Sequence, residues 1–208
     1  MRLLIAVLAS AVCSATPSLA KPPAPIWQGW YAGADVGGET LSGHLVQLNS
    51  GQTFDGSSKS FEAGLYGGYN WQSGPWVFGF ETDWTHSFRN VNDLDMFSGR
   101  VRAGWAFDQT LIFATAGIAT ENRFLSWTTI NGGTITKSTV EKQHTGFIVG
   151  GGFETRLTHN LSLRGEALYF NGGSQTYNFP AVAPFAAPSA TLDFDQIIYR
   201  AGLTYQFN

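Results

Sequence analysis

Strict alternation constrains this chain more than any other feature. Residues 76–88, WVFGFETDWTHSF, put Trp76, Phe78, Phe80, Thr82 and Trp84 in one register and Val77, Gly79, Glu81 and Asp83 in the other. Side chains that change face at every residue belong to a strand, with one face aromatic and one carrying carboxylates. Seven further segments share this alternating or Gly-punctuated character: roughly Gly29 to Gly38, Phe61 to Trp71, Met96 to Phe107, Leu111 to Phe124, Lys142 to Leu157, Leu161 to Asn171 and Leu192 to Phe207. No comparable stretch has helical periodicity, so the chain reads as all-β with eight strands.

The connections supply the topology. QSGP, DQT and THN are turn sequences that join strands two to three, four to five and six to seven. Between them lie longer links: Glu39 to Ser60, Arg89 to Asp95, Leu125 to Glu141 around Asn131, Gly132 and Gly133, and Gly172 to Ala190. Short and long connections alternate strictly. An antiparallel meander of this kind collects every short turn at one end and every long loop at the other, as up-and-down transmembrane barrels do, with short periplasmic turns and long extracellular loops.

Which face looks inward follows from charge and ring size. One register holds Asp35, Glu62, Glu81, Asp83, Arg100, Arg102, Glu121, Glu154, Arg156, Arg164, Glu166 and Arg200, interleaved with Gly and small residues. The other holds Trp, Phe, Tyr and aliphatics without a charge. An eight-stranded barrel is only wide enough for side chains to fill it, so aromatics from every strand would overpack the interior. Trp71, Trp76, Trp105, Phe107, Tyr205 and Phe207 also gather near the short turns and Trp84 towards the other end, as in an aromatic girdle at two membrane interfaces. The aromatic face is therefore expected to meet lipid. Glu62, Glu81, Asp83, Arg100, Arg102, Glu154, Arg164, Glu166 and Arg200 are expected to form a paired lumen network, because a confined charge without a partner is costly. On this orientation, Phe80→Arg is expected to impair membrane folding far more than Glu81→Gln.

Composition agrees. Charged residues make up 13% of the chain, about half the usual share of roughly 25% in soluble domains. Beyond the N-terminus no apolar run reaches the length of a membrane helix. Residues 1–20 have a basic Arg2, an apolar stretch and a small-residue end, which reads as a signal peptide for Sec-type export with cleavage near Ala20. Residues 21–28 form a lead-in and 29–208 the barrel domain. The single cysteine, Cys13, falls in the signal segment, so no disulfide is expected. The net charge of −3 gives no basic footprint for nucleic acid.

WQGWYAGADVGG at the first strand, TGFIVGGGFETRLTHNLSLRGEALYF across the sixth and seventh, and the terminal YRAGLTYQFN resemble the small eight-stranded outer-membrane proteins of alphaproteobacteria, the porin-family or OmpA-like β-barrel domains. The resemblance covers the mature chain. It implies the cell outer membrane, insertion by the barrel-assembly machinery, contact with outer-membrane lipid and lipopolysaccharide, and a structural or surface-interaction role with loop partners it does not identify. Members usually end on an aromatic; here Phe207 precedes Asn208, which leaves assembly efficiency open.

No catalytic constellation emerges, and the chain is not expected to be an enzyme or to carry a cofactor or metal. Glu81 and Asp83 share a face two residues apart, and their expected partners are Arg100 or Arg102 on the next strand. His44, His86 and His144 fall towards the long loops and His159 at the opposite end; solvated single histidines are the default, and haem or metal capture by the first three stays open. Gly150, Gly151 and Gly152 read as close strand packing, since no helix follows to make a phosphate site. Phe179 and Phe185 in the last loop are open to a partner, a lipopolysaccharide headgroup or the barrel mouth. The functional expectation is a barrel with a closed, salt-bridged lumen; a narrow porin and a soluble periplasmic lipocalin-like binder are the alternatives.

Overall fold

A computed structural model describes residues 26–88, 94–131, 133–181 and 187–207. The expected signal segment, Cys13, residues 21–25 of the lead-in, Phe185 and Asn208 lie outside these residues. The strands are β1 (Gly29–Gln47), β2 (Thr53–Ser73), β3 (Trp76–Phe88), β4 (Leu94–Phe107), β5 (Thr110–Asn131), β6 (Thr134–Arg156), β7 (Leu161–Asn178) and β8 (Ser189–Phe207). Each pairs antiparallel with the next and β8 returns to β1, closing the barrel. Closure removes the exposed edges that an open sheet would present.

Alternation is preserved along the barrel-wall part of every strand. On β3, Trp76, Phe78, Phe80 and Trp84 point out and Val77, Glu81 and Asp83 point in. The outward face is an apolar band that ends abruptly towards the long connections. Outward residues turn polar at Thr120 and Asn122 on β5, at Thr145 and Gln143 on β6, at Asn171 on β7 and at Asp195 on β8. Above that level lies the part of the molecule beyond the apolar band.

Here the structure corrects the strand limits read from the sequence. Three of the four long connections are strand over much of their length: β1 and β2 stay paired as far as Val46↔Thr53, β5 and β6 as far as Asn131↔Thr134, and β7 and β8 as far as Asn178↔Ser189. Side chains 53–59 of β2 are exposed on both faces, so alternation fades there, while Tyr177 and Ala190 stay buried in the β7 and β8 extensions. The backbone ladder continues throughout because every N–H and C=O still needs a partner. The extensions form two bodies. One is a four-stranded wing, β7–β8–β1–β2; the other is a two-stranded ribbon, β5–β6. They separate where the β6–β7 ladder ends, at Phe147↔Asn171. At that point β7 carries a bulge between Asn171 and Gly173, and Gly173 takes a φ of 67° that other residues rarely adopt.

Candidate functional site

The interior is stacked in layers, and the middle one is ionic. Glu81 on β3 receives both terminal nitrogens of Arg164 (2.5 and 2.8 Å), one nitrogen of Arg100 (2.6 Å) and the Tyr31 hydroxyl (2.9 Å). Arg102 lies 3.5 Å from the same carboxylate and 2.8 Å from Glu154. Arg100 also reaches Asp83 and Glu166, each at 2.9 Å, and Arg164 reaches Glu166 at 2.8 Å. Arg200 ties Glu62 (2.8 Å) to Asp83 (3.2 Å). The register dictates much of this, since Glu81 stands opposite Arg100 and Glu154 opposite Arg164. The Phe113 ring of β5 lies 4.1 Å from the Arg102 guanidinium and 5.0 Å from that of Arg164. All eight strands thus touch the layer, and the named charges in it are all buried. Asp35, on the same face, is buried with its Oδ1 unpartnered.

Two apolar layers flank the charges, and sequence reasoning missed both. Towards the wing and ribbon lie Met96, Ala119, Ile148, Leu168, Phe170, Phe194 and Ile198. Towards the short turns lie Trp27, Val77, Ala106, Leu111 and Phe113. The charged register is therefore not charges among small residues alone. The signal was available: by parity Met96, Ile148, Leu168, Phe170 and Ile198 fall in line with the arginines and carboxylates. Glu39 and Arg123, also missed, are buried too; Arg123 lies 2.9 Å from Glu121, and its guanidinium 4.4 Å from the Phe194 ring.

The lead-in is more than an approach to β1. Trp27 is 1% exposed, its backbone N–H donates to the side-chain carbonyl of Gln72 (2.9 Å), and the Arg156 guanidinium lies 4.7 Å from its indole ring. Arg156 in turn donates to the carbonyls of Ile26 and of His159 (2.7 Å) and to the Gln206 side chain. Gln206 donates to the Gln28 carbonyl at 2.5 Å. Residues 26–28 are thereby latched to β2, to the β6–β7 turn and to the end of β8.

On the outside, Trp71, Trp76, Trp105, Phe107, Tyr205 and Phe207 are exposed at the short-turn end, with Trp76 and Trp105 edge-to-face at 4.7 Å and Tyr205 and Phe207 at 5.3 Å. Trp84 stands at the other level, where its indole N–H donates to Asp95 (3.1 Å). The histidines divide. His44 pairs with Asp55 (2.5 Å) and His86 with Asp95 (2.9 Å), while His159 is exposed in the β6–β7 turn. His144 departs from the expected solvated state: it is fully buried, within 3.2 Å of the Gly172 carbonyl and 2.8 Å of the Tyr177 hydroxyl. Among the described residues no group of three His, Cys, Asp or Glu side chains is placed to hold a metal. Gly150 and Gly152 face β7 so closely that a Cβ would run into the carbonyls of Ala167 and Gly165. Phe179 is buried and packs against Trp127 at 5.8 Å.

A closed eight-stranded barrel with an apolar exterior and an ionic interior is the architecture of a membrane-spanning barrel. A family model described as "Outer membrane protein beta-barrel domain" matches residues 4–207. The chain belongs to that family. Members of curated standing are similar along most of their length. The 22 kDa outer membrane protein of Rhizobium leguminosarum bv. viciae is 29% identical over 163 residues, covering 75% of this chain and 69% of the relative. The 25 kDa outer-membrane immunogenic protein of Brucella melitensis is 27% identical over 199 residues, covering 89% and 84%. Among solved structures, the outer membrane protease OmpT of Escherichia coli superposes with a TM-score of 0.51 at 11% identity, covering 85% of this chain and 97% of that one, a likeness of fold alone. The protein is an outer-membrane β-barrel, and its apolar band is the surface that meets lipid.

Proposed function

We propose that this outer-membrane barrel is a non-conducting scaffold that holds the wing and ribbon outside the cell for surface interactions. The observation that carries the reading is the ionic layer bonded across the barrel and covered by an apolar layer on each side. Glu81 and Asp83 serve there as counter-ions to Arg100, Arg164 and Arg200 rather than as a catalytic pair, and the charges fix the register of the strands. In this reading export uses the N-terminal signal with cleavage near Ala20, the assembly machinery inserts the barrel, and the short turns face the periplasm. The two girdles rest in lipid and against lipopolysaccharide. The Brucella relatives are named immunogenic proteins, which supports outward display of the corresponding hairpins. Single-channel recording in planar bilayers tests the closed lumen: purified barrel should leave the membrane resistance unchanged, and reproducible stable openings would overturn the reading in favour of a narrow porin.

A further inference from the structure

The wing and the ribbon are separate sheets above the apolar band, and side chains tie them across the gap, among them Gln196 to Glu121 and the Arg123 guanidinium to the Phe194 ring. On β6, beyond its last ladder pair with β7, His144 projects inwards and bonds twice to β7: to the Gly172 carbonyl delivered by the bulge and to the Tyr177 hydroxyl. Phe194 of β8 packs edge-on to its ring at 4.8 Å. Higher up, the Lys142 ammonium lies 5.9 Å from the Tyr177 ring, and Trp127 packs on Phe179. A carbonyl can only accept, so Nδ1 of His144 carries the proton and Nε2 accepts from Tyr177. Burial pushes the Tyr177 hydroxyl up to about 12, which keeps it protonated as that donor.

We propose that His144 is a proton-sensitive pin: neutral, it fastens the extracellular ribbon to the wing, and protonated, it lets the ribbon swing away and uncovers Trp127, Tyr177, Phe179 and Phe194. The surroundings determine the sign. Two cations act on the ring through space, Arg123 from β5 and Lys142 from its own strand, and one carboxylate, Asp193 from β8; Glu121 of β5 is engaged by Arg123 and Gln196. Burial, together with Arg123 and Lys142, holds His144 below the ordinary histidine value, against the pull of the Gly172 hydrogen bond and Asp193. A released, hydrated His144 takes its proton at the ordinary value near 6.5. The pinned state is therefore fully favoured above that value and loses ground as pH falls below it, by up to about tenfold in population per pH unit until the pinned ring itself titrates.

The test uses the full chain refolded in lipid, with Cys13→Ala and spin labels on Thr128→Cys of the ribbon and Ser174→Cys of the wing. The expected result is one narrow inter-label distance at about pH 7.5 and a second, broad population growing towards about pH 4.5, below the ordinary histidine value. His144→Gln, whose amide can donate to the carbonyl and accept from the hydroxyl, should keep the narrow distance at both. Broadening that persists in His144→Gln, or a wild-type distance that does not respond to acid, overturns the pin. If His144→Gln is already broad at neutral pH, histidine-selective NMR titration of the unmutated protein decides. A His144 midpoint coinciding with the distance change upholds the pin, and one that differs from it refutes the pin.

Discussion

Replacing Glu81 by Gln removes one negative charge and little volume, so its effect isolates the ionic layer. In the wild type that carboxylate is shared by Arg164, Arg100 and Tyr31, with Arg102 close by, and all are buried. Gln keeps an acceptor oxygen but adds an N–H₂ group facing guanidinium donors. Removing one member of a buried ion pair costs about 3–5 kcal/mol, because the partner charge is left without compensation. Glu154, Glu166 and Asp83 still face the same arginines and moderate the loss, so about 3 kcal/mol is expected rather than the upper end of that range. Reversible urea unfolding in phospholipid vesicles, followed by tryptophan fluorescence, measures it. Arg164→Met should be similarly costly alone. Combined with Glu81→Gln it restores the charge balance, so the double variant should be more stable than the sum of the singles predicts by at least about 1 kcal/mol. A Glu81→Gln variant within about 0.5 kcal/mol of wild type, as ordinary surface substitutions are, or a strictly additive cycle, would refute the claim that this layer holds the barrel together.

Phe80→Arg places a cation at the middle of the lipid-facing part of β3 and should cost about 2–4 kcal/mol in vesicles; the loss should shrink in a thin, loosely packed detergent shell. Trp27→Ala empties the short-turn layer and releases the Arg156 latch, and is expected to lower unfolding stability by about 3 kcal/mol, the low end for a buried aromatic, read by the same urea assay. Gly150→Ala drives a Cβ into the Ala167 carbonyl of β7 and should destabilise by about 1–3 kcal/mol, as overpacking does, whereas Ala at exposed Gly99, where a Cβ meets nothing within 4 Å, should fold like wild type in a heat-modifiability gel.

Alternation alone ranks Phe80→Arg far above Glu81→Gln. The contacts around Glu81 bring the two to similar size, because the sequence indicates which residues share a face but not how many partners meet at one atom. What was legible followed from constraints that act on every residue: lipid excludes charge, so the faces of β3 or β4 separate cleanly in the one-letter code. The apolar interior layers were obscured because Leu168 and Phe170 share a register with Arg164 and Glu166, and only level along the barrel axis distinguishes them. The extensions of β1 and β2 were obscured for the opposite reason. Water on both sides of Ser57 or Ser58 imposes no pattern, although the ladder there is intact. Trp27 and His144 depend on contacts between distant segments, Trp27 with Arg156 and His144 with the β7 bulge, which no local spacing records.

The continuity of the wing with the wall of the barrel has a mechanical meaning. Its four strands cross the lipid boundary without an intervening loop, held by ladders that run from the short turns to the outer tip except at the β7 bulge. Inter-strand hydrogen bonds lie across the strands, so a load pulling outwards along the wing strains many of them together in shear instead of unzipping them one at a time. Tension applied at the tip would be passed to the membrane-embedded staves as a whole, making the wing a rigid mast rather than a tether.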